Sequence, residues 1–455
     1  MRSLLGTGRQ STDGRLLKSS LTLISGTVVS QAILFFCSPI LSRLFDLADF
    51  GNLASYNAWV SVLALLGTLR YEHALVITEN RESASRVLAL TLVLCAASCA
   101  ACAAAVGITR VFETGGPYLQ DIRGFVPYIP VGVFSIGVSS ALIQLKVRAG
   151  GFRTLAAVAL VQVVVTVFCQ VGLGLLHASN GLILGTIAGS SLTSGILTWL
   201  YVREGGLTQL RRAMTVRQLW ATAREHLNFP KYTLAADALG LMVQQFTPVF
   251  VLALFDPAVA GSYAFSIRIV RTPLLVVSTA LNSALRREGV DHLNRDGSLR
   301  PLFSSIVKSL LLLGCGPFVI IALFGERLFR VIFGAQWTNA GRIVQILSPG
   351  ILLEFVAFPL SVFFLLTGSQ RYALALKLSG FVCLVGALLF GKYYLNDFMA
   401  TCYLLSAVMV LVNLGGIILS GRVSGGKDPR RAGPALGGPI LKREGLEVEP
   451  GWTGL

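Results

Sequence analysis

Charge is what this chain has least of. Asp, Glu, Lys and Arg supply 13% of its 455 residues, against roughly 25% in soluble domains. With 54% hydrophobic residues and a mean hydropathy of +0.71, that scarcity excludes a soluble globule and defines an integral membrane protein. Acids are fewer than bases, 22 against 38, for a net charge of +16. The basic residues fall between apolar runs and not in one patch with interleaved aromatics, so nucleic acid is excluded as a partner.

Reactive side chains are also sparse. His73, His177, His226 and His292 stand apart without metal-ligand spacing. The eight cysteines all lie in apolar runs, which gives no disulfide framework. Cys95, Cys99 and Cys102 share one helical face and read as packing residues, because a thiol in apolar surroundings behaves as a small hydrophobe. Residues 421–428 read G-x-x-x-x-G-K-D. They lack the Ser or Thr that holds magnesium and follow a membrane span where a nucleotide site needs a core strand. No ATPase, metal centre or cofactor is expected, nor a cleavable signal peptide, since the first apolar run is too long for one.

Long apolar runs are abundant. A helix needs about 20 apolar residues to cross the hydrocarbon core. Such runs fall near 19–41, 53–77, 87–109, 124–145, 154–176, 181–202, 230–254, 260–283, 303–324, 343–367, 372–394 and 398–420. The predicted fold is all-α and polytopic, with about 12 transmembrane helices in two parallel six-helix lobes around a central cavity. The chain divides into a cytoplasmic segment at 1–18, an N-lobe at 19–202, a cytoplasmic linker at 203–229, a C-lobe at 230–420 and a Gly- and Pro-rich tail at 421–455, expected to be disordered. With both termini cytoplasmic, 29 Lys and Arg fall on inside segments and 7 on outside ones, and the other two lie within a span. That asymmetry sets the expected orientation.

The halves share a signature. Residues 44–51 read LFDLADFG and residues 254–261 read LFDPAVAG, 210 positions apart. Each copy falls in the outside turn between the first and second span of its half, as in parallel repeats related by an axis along the membrane normal. The aspartates Asp46 and Asp256 are placed to start the turn or cap the next helix, and Gly51 and Gly261 to let backbones approach. Glycines 181, 185 and 189 form a small-residue packing ridge.

Charges within spans carry the functional signal, because each costs roughly 2.5–3.5 kcal/mol at a helix centre and usually faces a cavity. Arg268 and Arg271 are three apart on one face of the eighth span, with Pro273 placed to kink the helix beside them. Two guanidiniums there form a receptor for an anionic group such as phosphate. Three acids are placed to answer them: Asp237, Glu354 and Glu72. Such charges either neutralise each other between helices or form a pair that opens when an anionic lipid arrives. Gln31, Gln244, Gln245 and Asn57 can bond sugar hydroxyls or join helices.

The stretch SGTVVSQAILFFCSPILSRLFDLADFGNLASYNAWVSVLALLGTLRYEHALVI resembles the opening of the Wzx-like polysaccharide-biosynthesis flippases, in the multidrug/oligosaccharidyl-lipid/polysaccharide exporter superfamily. The matching features are Gln31, Pro39, LSRLF with Arg43, DFG at 49–51, Tyr56 and LRYEHA at 69–74. The resemblance implies a transporter, not an enzyme. Its substrate would be an undecaprenyl-diphosphate-linked oligosaccharide, an O-antigen, capsule or exopolysaccharide unit, carried across a bacterial inner membrane by alternating access. Membrane lipids and the polysaccharide polymerase or export machinery would be its other partners. It places Arg70 beside the cytoplasmic entrance and Arg43 near the outer exit. The diphosphate assignment of Arg268 and Arg271 rests on the physical argument above, and Asp237 and Glu354 are the acids suited to proton coupling. The alternatives are a multidrug extruder of the same superfamily, which would prefer an acidic cavity, and a membrane glycosyltransferase or ligase, which the short outside loops disfavour. A peptidoglycan-precursor flippase often adds two C-terminal helices, where this chain has a polar tail.

Overall fold

In hydrocarbon a backbone must satisfy its own hydrogen bonds, which leaves apolar runs of this length the helix as a single-chain solution. The computed structural model describes residues 26, 28–78, 80–111, 124–178, 180–296 and 298–425, and among them every regular element is helical. The first half comprises α1 (Val28–Leu44), α2 (Leu47–Thr68), the short α3 (Ala74–Ile77), α4 (Arg81–Val111), α5 (Ile129–Arg148), α6 (Phe152–Leu175) and α7 (Gly181–Arg203). Two short helices follow, α8 (Gly206–Ala213) and α9 (Val216–Glu225). The second half comprises α10 (Leu234–Leu254), α11 (Pro257–Asp296), α12 (Arg300–Phe333), α13 (Thr338–Leu366), α14 (Gln370–Phe390) and α15 (Phe398–Ser424). Segments 1–25 and 426–455, with the connection at 112–123, lie outside the described residues.

Eight of the described helices are long and apolar enough to cross a membrane, and α2 with α3 makes a ninth, bent by 64°. Adding α1, α10 and α11 gives the six-plus-six order. Helix α1 is described from Val28, and α10 is apolar along its length apart from Asp237, Gln244, Gln245 and Thr247. Helix α11 runs thirteen residues past the expected end of its span at 283. The chain there, NSALRREGVDHLNRD, is polar but includes the helix formers Ala284, Leu285, Arg286, Arg287 and Glu288 in one run, and the helix outlasts the apolar run.

Small residues set the packing of α6 on α7. A methyl group on Gly185 would lie 2.9 Å from the backbone nitrogen of Gln170, whose Nε2 donates to Leu182 O at 2.9 Å. The two halves meet chiefly where α2 packs on α11 and α10. Each repeat caps a helix there: Asp256 Oδ1 accepts from Ala258 N at 2.8 Å and Val259 N at 3.1 Å, and Asp46 N donates to Asp49 Oδ2 at 3.1 Å. The described cysteines are all free.

Candidate functional site

A cavity of about 320 Å³ lies between the halves. From the first half, α2 contributes Phe50, Leu53, Ala54 and Asn57. From the second, α10 contributes Gln245 and Thr247, α11 contributes Tyr263, Arg268, Arg271 and Thr272, and α13 contributes Glu354 and Phe358. By the helical rise, Arg268 and Arg271 stand roughly 16 and 21 Å along α11 from its start, close to halfway along the adjacent α2 of roughly 33 Å.

Arg271 and Glu354 form a charge-assisted pair, with Nη2 at 2.7 Å and Nε at 3.1 Å from Glu354 Oε2. Both side chains keep about 30% of their surface open to the cavity, 29% and 32%, so the pair is reachable by a ligand. Arg268 differs. Its guanidinium faces the same cavity and has no acidic partner among the described residues. The lining therefore holds two guanidiniums against one carboxylate, with amide and hydroxyl groups around them.

On the other side of α11 the chemistry inverts. Ile269, Val270, Pro273, Leu274 and Val277 line an apolar groove of about 570 Å³, closed by Phe35 and Phe36 of α1 and by α12. One helix thus presents cations to the central cavity and an apolar face, including Pro273, to a lateral groove. Helix α11 continues through Pro273, placing the proline's missing donor on the groove side.

The end of the bundle that holds both repeats is closed by aromatic packing. Trp337, fully buried, sits 5.0 Å from Phe50 and 4.0 Å from Phe265 between ring centroids. Its Nε1 donates to Ser42 O at 2.8 Å, and Gln336 Nε2 donates to the same carbonyl at 2.6 Å. Ser42 Oγ returns a bond to Phe333 O at 3.1 Å. Sequence reasoning passed over Trp337, which lies in a short turn between spans. Its signal is a lone Trp after Gly334, whose φ of +112° only glycine tolerates comfortably.

At the opposite end stands a second cluster across the halves. Leu69 and Arg70 both have left-handed φ, 48° and 62°, and this produces the bend after α2. The bend directs Arg70 toward two carboxylates: Glu72 Oε1 at 3.2 Å in its own half and Asp237 Oδ2 at 2.8 Å in the other. The contact to Asp237 is an ion pair off the N–H line, since Arg70 Nε has no directed acceptor. His73 Nε2 lies 4.0 Å from Asp237, and Ser140 Oγ lies 3.4 Å from Glu72 Oε1.

Of the eleven residues singled out from sequence, Arg268, Arg271, Glu354, Asn57 and Gln245 share the cavity, Arg70, Glu72 and Asp237 share the second cluster, and the side chain of Gln244 lies outside the described residues. Only Glu354 of the three acids reaches the arginine pair. Glu72 and Asp237 sit at the bend and near the start of α10, at the far end of α2, where Arg70 takes them. Arg43 is exposed and Gln31 half-buried on α1, and neither lines the cavity.

The described helices, in two like halves around a cationic cavity, share their fold with solved transporters of the MOP superfamily. An inward-facing multidrug resistance MATE transporter of that superfamily aligns with TM-score 0.58 at 15% identity over 89% of this chain and 94% of its own. An outward-facing one aligns with TM-score 0.56 at 15% identity over 90% and 96%. A MOP superfamily transporter from Pyrococcus furiosus, described as having a binding pocket of reverse polarity, aligns with TM-score 0.58 at 14% identity over 90% and 96%. No curated protein matches the chain in sequence. Residues 40–342 match the polysaccharide biosynthesis protein family, and the chain belongs to that family.

Proposed function

We propose that this protein is a flippase that carries a polyprenyl-diphosphate-linked oligosaccharide, an undecaprenyl carrier in a bacterial inner membrane, from the cytoplasmic to the outer leaflet. The observation that carries the reading is Arg268, a cation facing the central cavity without an acidic partner among the described residues. A buried charge left uncompensated is costly, and an incoming diphosphate would supply the compensation with two fork-shaped donors in reach. Arg271 would receive the same group by releasing Glu354, which could then take up a proton and couple transport to a proton gradient.

Two further features support the reading. The apolar groove behind α11 offers a path for the prenyl chain beside the polar path for its headgroup. Asn57, Gln245 and Thr247 offer hydrogen bonds suited to sugar hydroxyls. A cavity of about 320 Å³ is at the small end for a ligand site, so an oligosaccharide requires the halves to part. In the orientation set by the positive charges, the Trp337 packing is the outer gate and the Arg70–Asp237 pair the cytoplasmic one.

A multidrug exporter is the competing reading, and the charge of the lining opposes it. Thermal stability of the purified protein separates the two, with farnesyl diphosphate and ethidium as probes. The flippase reading expects stabilisation by the diphosphate that is lost in Arg268→Ala. Stabilisation by ethidium alone would establish the exporter reading instead.

A further inference from the structure

Residues 203–231 between the halves carry six basic side chains, Arg203, Arg211, Arg212, Arg217, Arg224 and Lys231, all exposed, and two acids, Glu204 and Glu225. Glu204 is already paired with Lys146, and among the described residues none of these six basic side chains has an acidic partner. Helix α9 is sharply divided. Gln218, Leu219, Thr222 and Ala223 turn inward, where Ala223 O accepts from Tyr71 Oη at 3.1 Å. Arg217, Trp220 and Arg224 recur at i, i+3 and i+7 on the outward face, one stripe of a helix.

That outward face is apolar as well as basic. Val216 is 83% and Trp220 62% exposed, with Leu207 and Met214 also open. The Arg224 guanidinium lies 5.1 Å over the Trp220 ring. The same pairing recurs at the end of α7, where Arg203 lies 5.3 Å over the exposed Trp199. Helices α8 and α9 pack against α4, and α8 also against α7, two membrane-spanning helices. Tryptophan beside arginine at the end of a span is the composition of the headgroup layer.

We propose that the outward face of α8 and α9 lies on the bilayer and binds anionic phospholipid. Val216 and Trp220 enter the boundary between headgroups and acyl chains, and Arg211, Arg212, Arg217 and Arg224 meet the phosphates. An acidic soluble protein would satisfy the arginines too. The bilayer is favoured because this face is held beside the ends of α4 and α7, where headgroups are already present. The surface is also one hydrogen bond, Tyr71 to Ala223, from the segment that carries Arg70.

The test uses the full-length protein in nanodiscs containing about one-third brominated lipid, an anionic fraction large enough to create a surface potential. The signal is the Trp220 emission, taken as the difference between the protein and Trp220→Phe. Brominated phosphatidylglycerol is expected to quench that emission severalfold more than brominated phosphatidylcholine. Replacing the four arginines by Gln should abolish the preference, at about fivefold in affinity per charge removed. Equal quenching by the two lipids overturns the proposal. So does quenching by neither lipid with Trp220 open to aqueous iodide, the outcome a soluble partner's docking face would give. The comparison of lipids on the unmodified protein decides the matter if the fourfold variant fails to fold.

Discussion

Gly51 and Gly261 meet where α2 and α11 begin, so closely that a methyl group on Gly51 would stand 3.0 Å from the backbone nitrogen of Gly261. A methyl group on Gly261 would collide with the carbonyl oxygen of Leu47. Each glycine ends one copy of the Leu-Phe-Asp repeat, so the two copies touch. Equivalent residues can touch when they lie beside the axis that relates the halves, which is why both copies need a residue without a side chain at this point.

Gly261→Val is therefore expected to hold the halves apart at the repeat end. Overpacking of this kind costs about 1–3 kcal/mol, which a lowered melting temperature of the purified protein would register. Transport should fall while the protein still inserts. A variant with unchanged stability and transport would show that this contact never has to close.

Trp337→Ala should be more damaging. It removes the ring packed between Phe50 and Phe265 and the donor to Ser42 O. Truncating a buried aromatic costs about 3–5 kcal/mol. Cysteines placed at the cavity lining should then label from the repeat end, and absence of new labelling would argue that another element seals it.

Topology follows from the charge distribution. A reporter inserted after Asp49 and one after Asp256 should both read as outside, because each follows an equivalent turn in a parallel half. Opposite readings from the two insertions would break the parallel arrangement.

The Arg70–Asp237 pair can be weighed by a double-mutant cycle with Arg70→Gln and Asp237→Asn. The expected coupling is at most about 1 kcal/mol, since the pair is partly open to water. Additive effects on thermal stability would mean that the ion pair does not join the halves.

The helical plan was legible in the sequence because apolar length and charge asymmetry are properties of single segments. The repeats at 44–51 and 254–261 were legible as equivalent turns for the same reason. Arg268 and Arg271 stood out because charge in an apolar run is conspicuous wherever it falls. What the sequence concealed depends on how the halves dock. Glu354 stood out for Arg271 because both lie near mid-span, but Asp237 was a candidate for the same arginines, and only the bend at Leu69 and Arg70 shows that Asp237 belongs to Arg70. That bend uses two residues that seldom adopt left-handed φ, so local propensity opposes it and packing imposes it. Trp337 was hidden for a related reason: a turn residue becomes a core residue only when α1 and α2 of the other half arrive to cover it.

The central claim, that the cavity arginines receive the diphosphate of a lipid-linked oligosaccharide, is tested most directly by Arg268→Ala with Arg271→Ala in cells that depend on this protein for surface polysaccharide. Losing each charge-assisted contact should weaken the substrate about tenfold or more. The account predicts loss of surface polysaccharide and build-up of the lipid-linked precursor, with the variant present in the membrane at the normal level. Normal surface polysaccharide from that variant would contradict it.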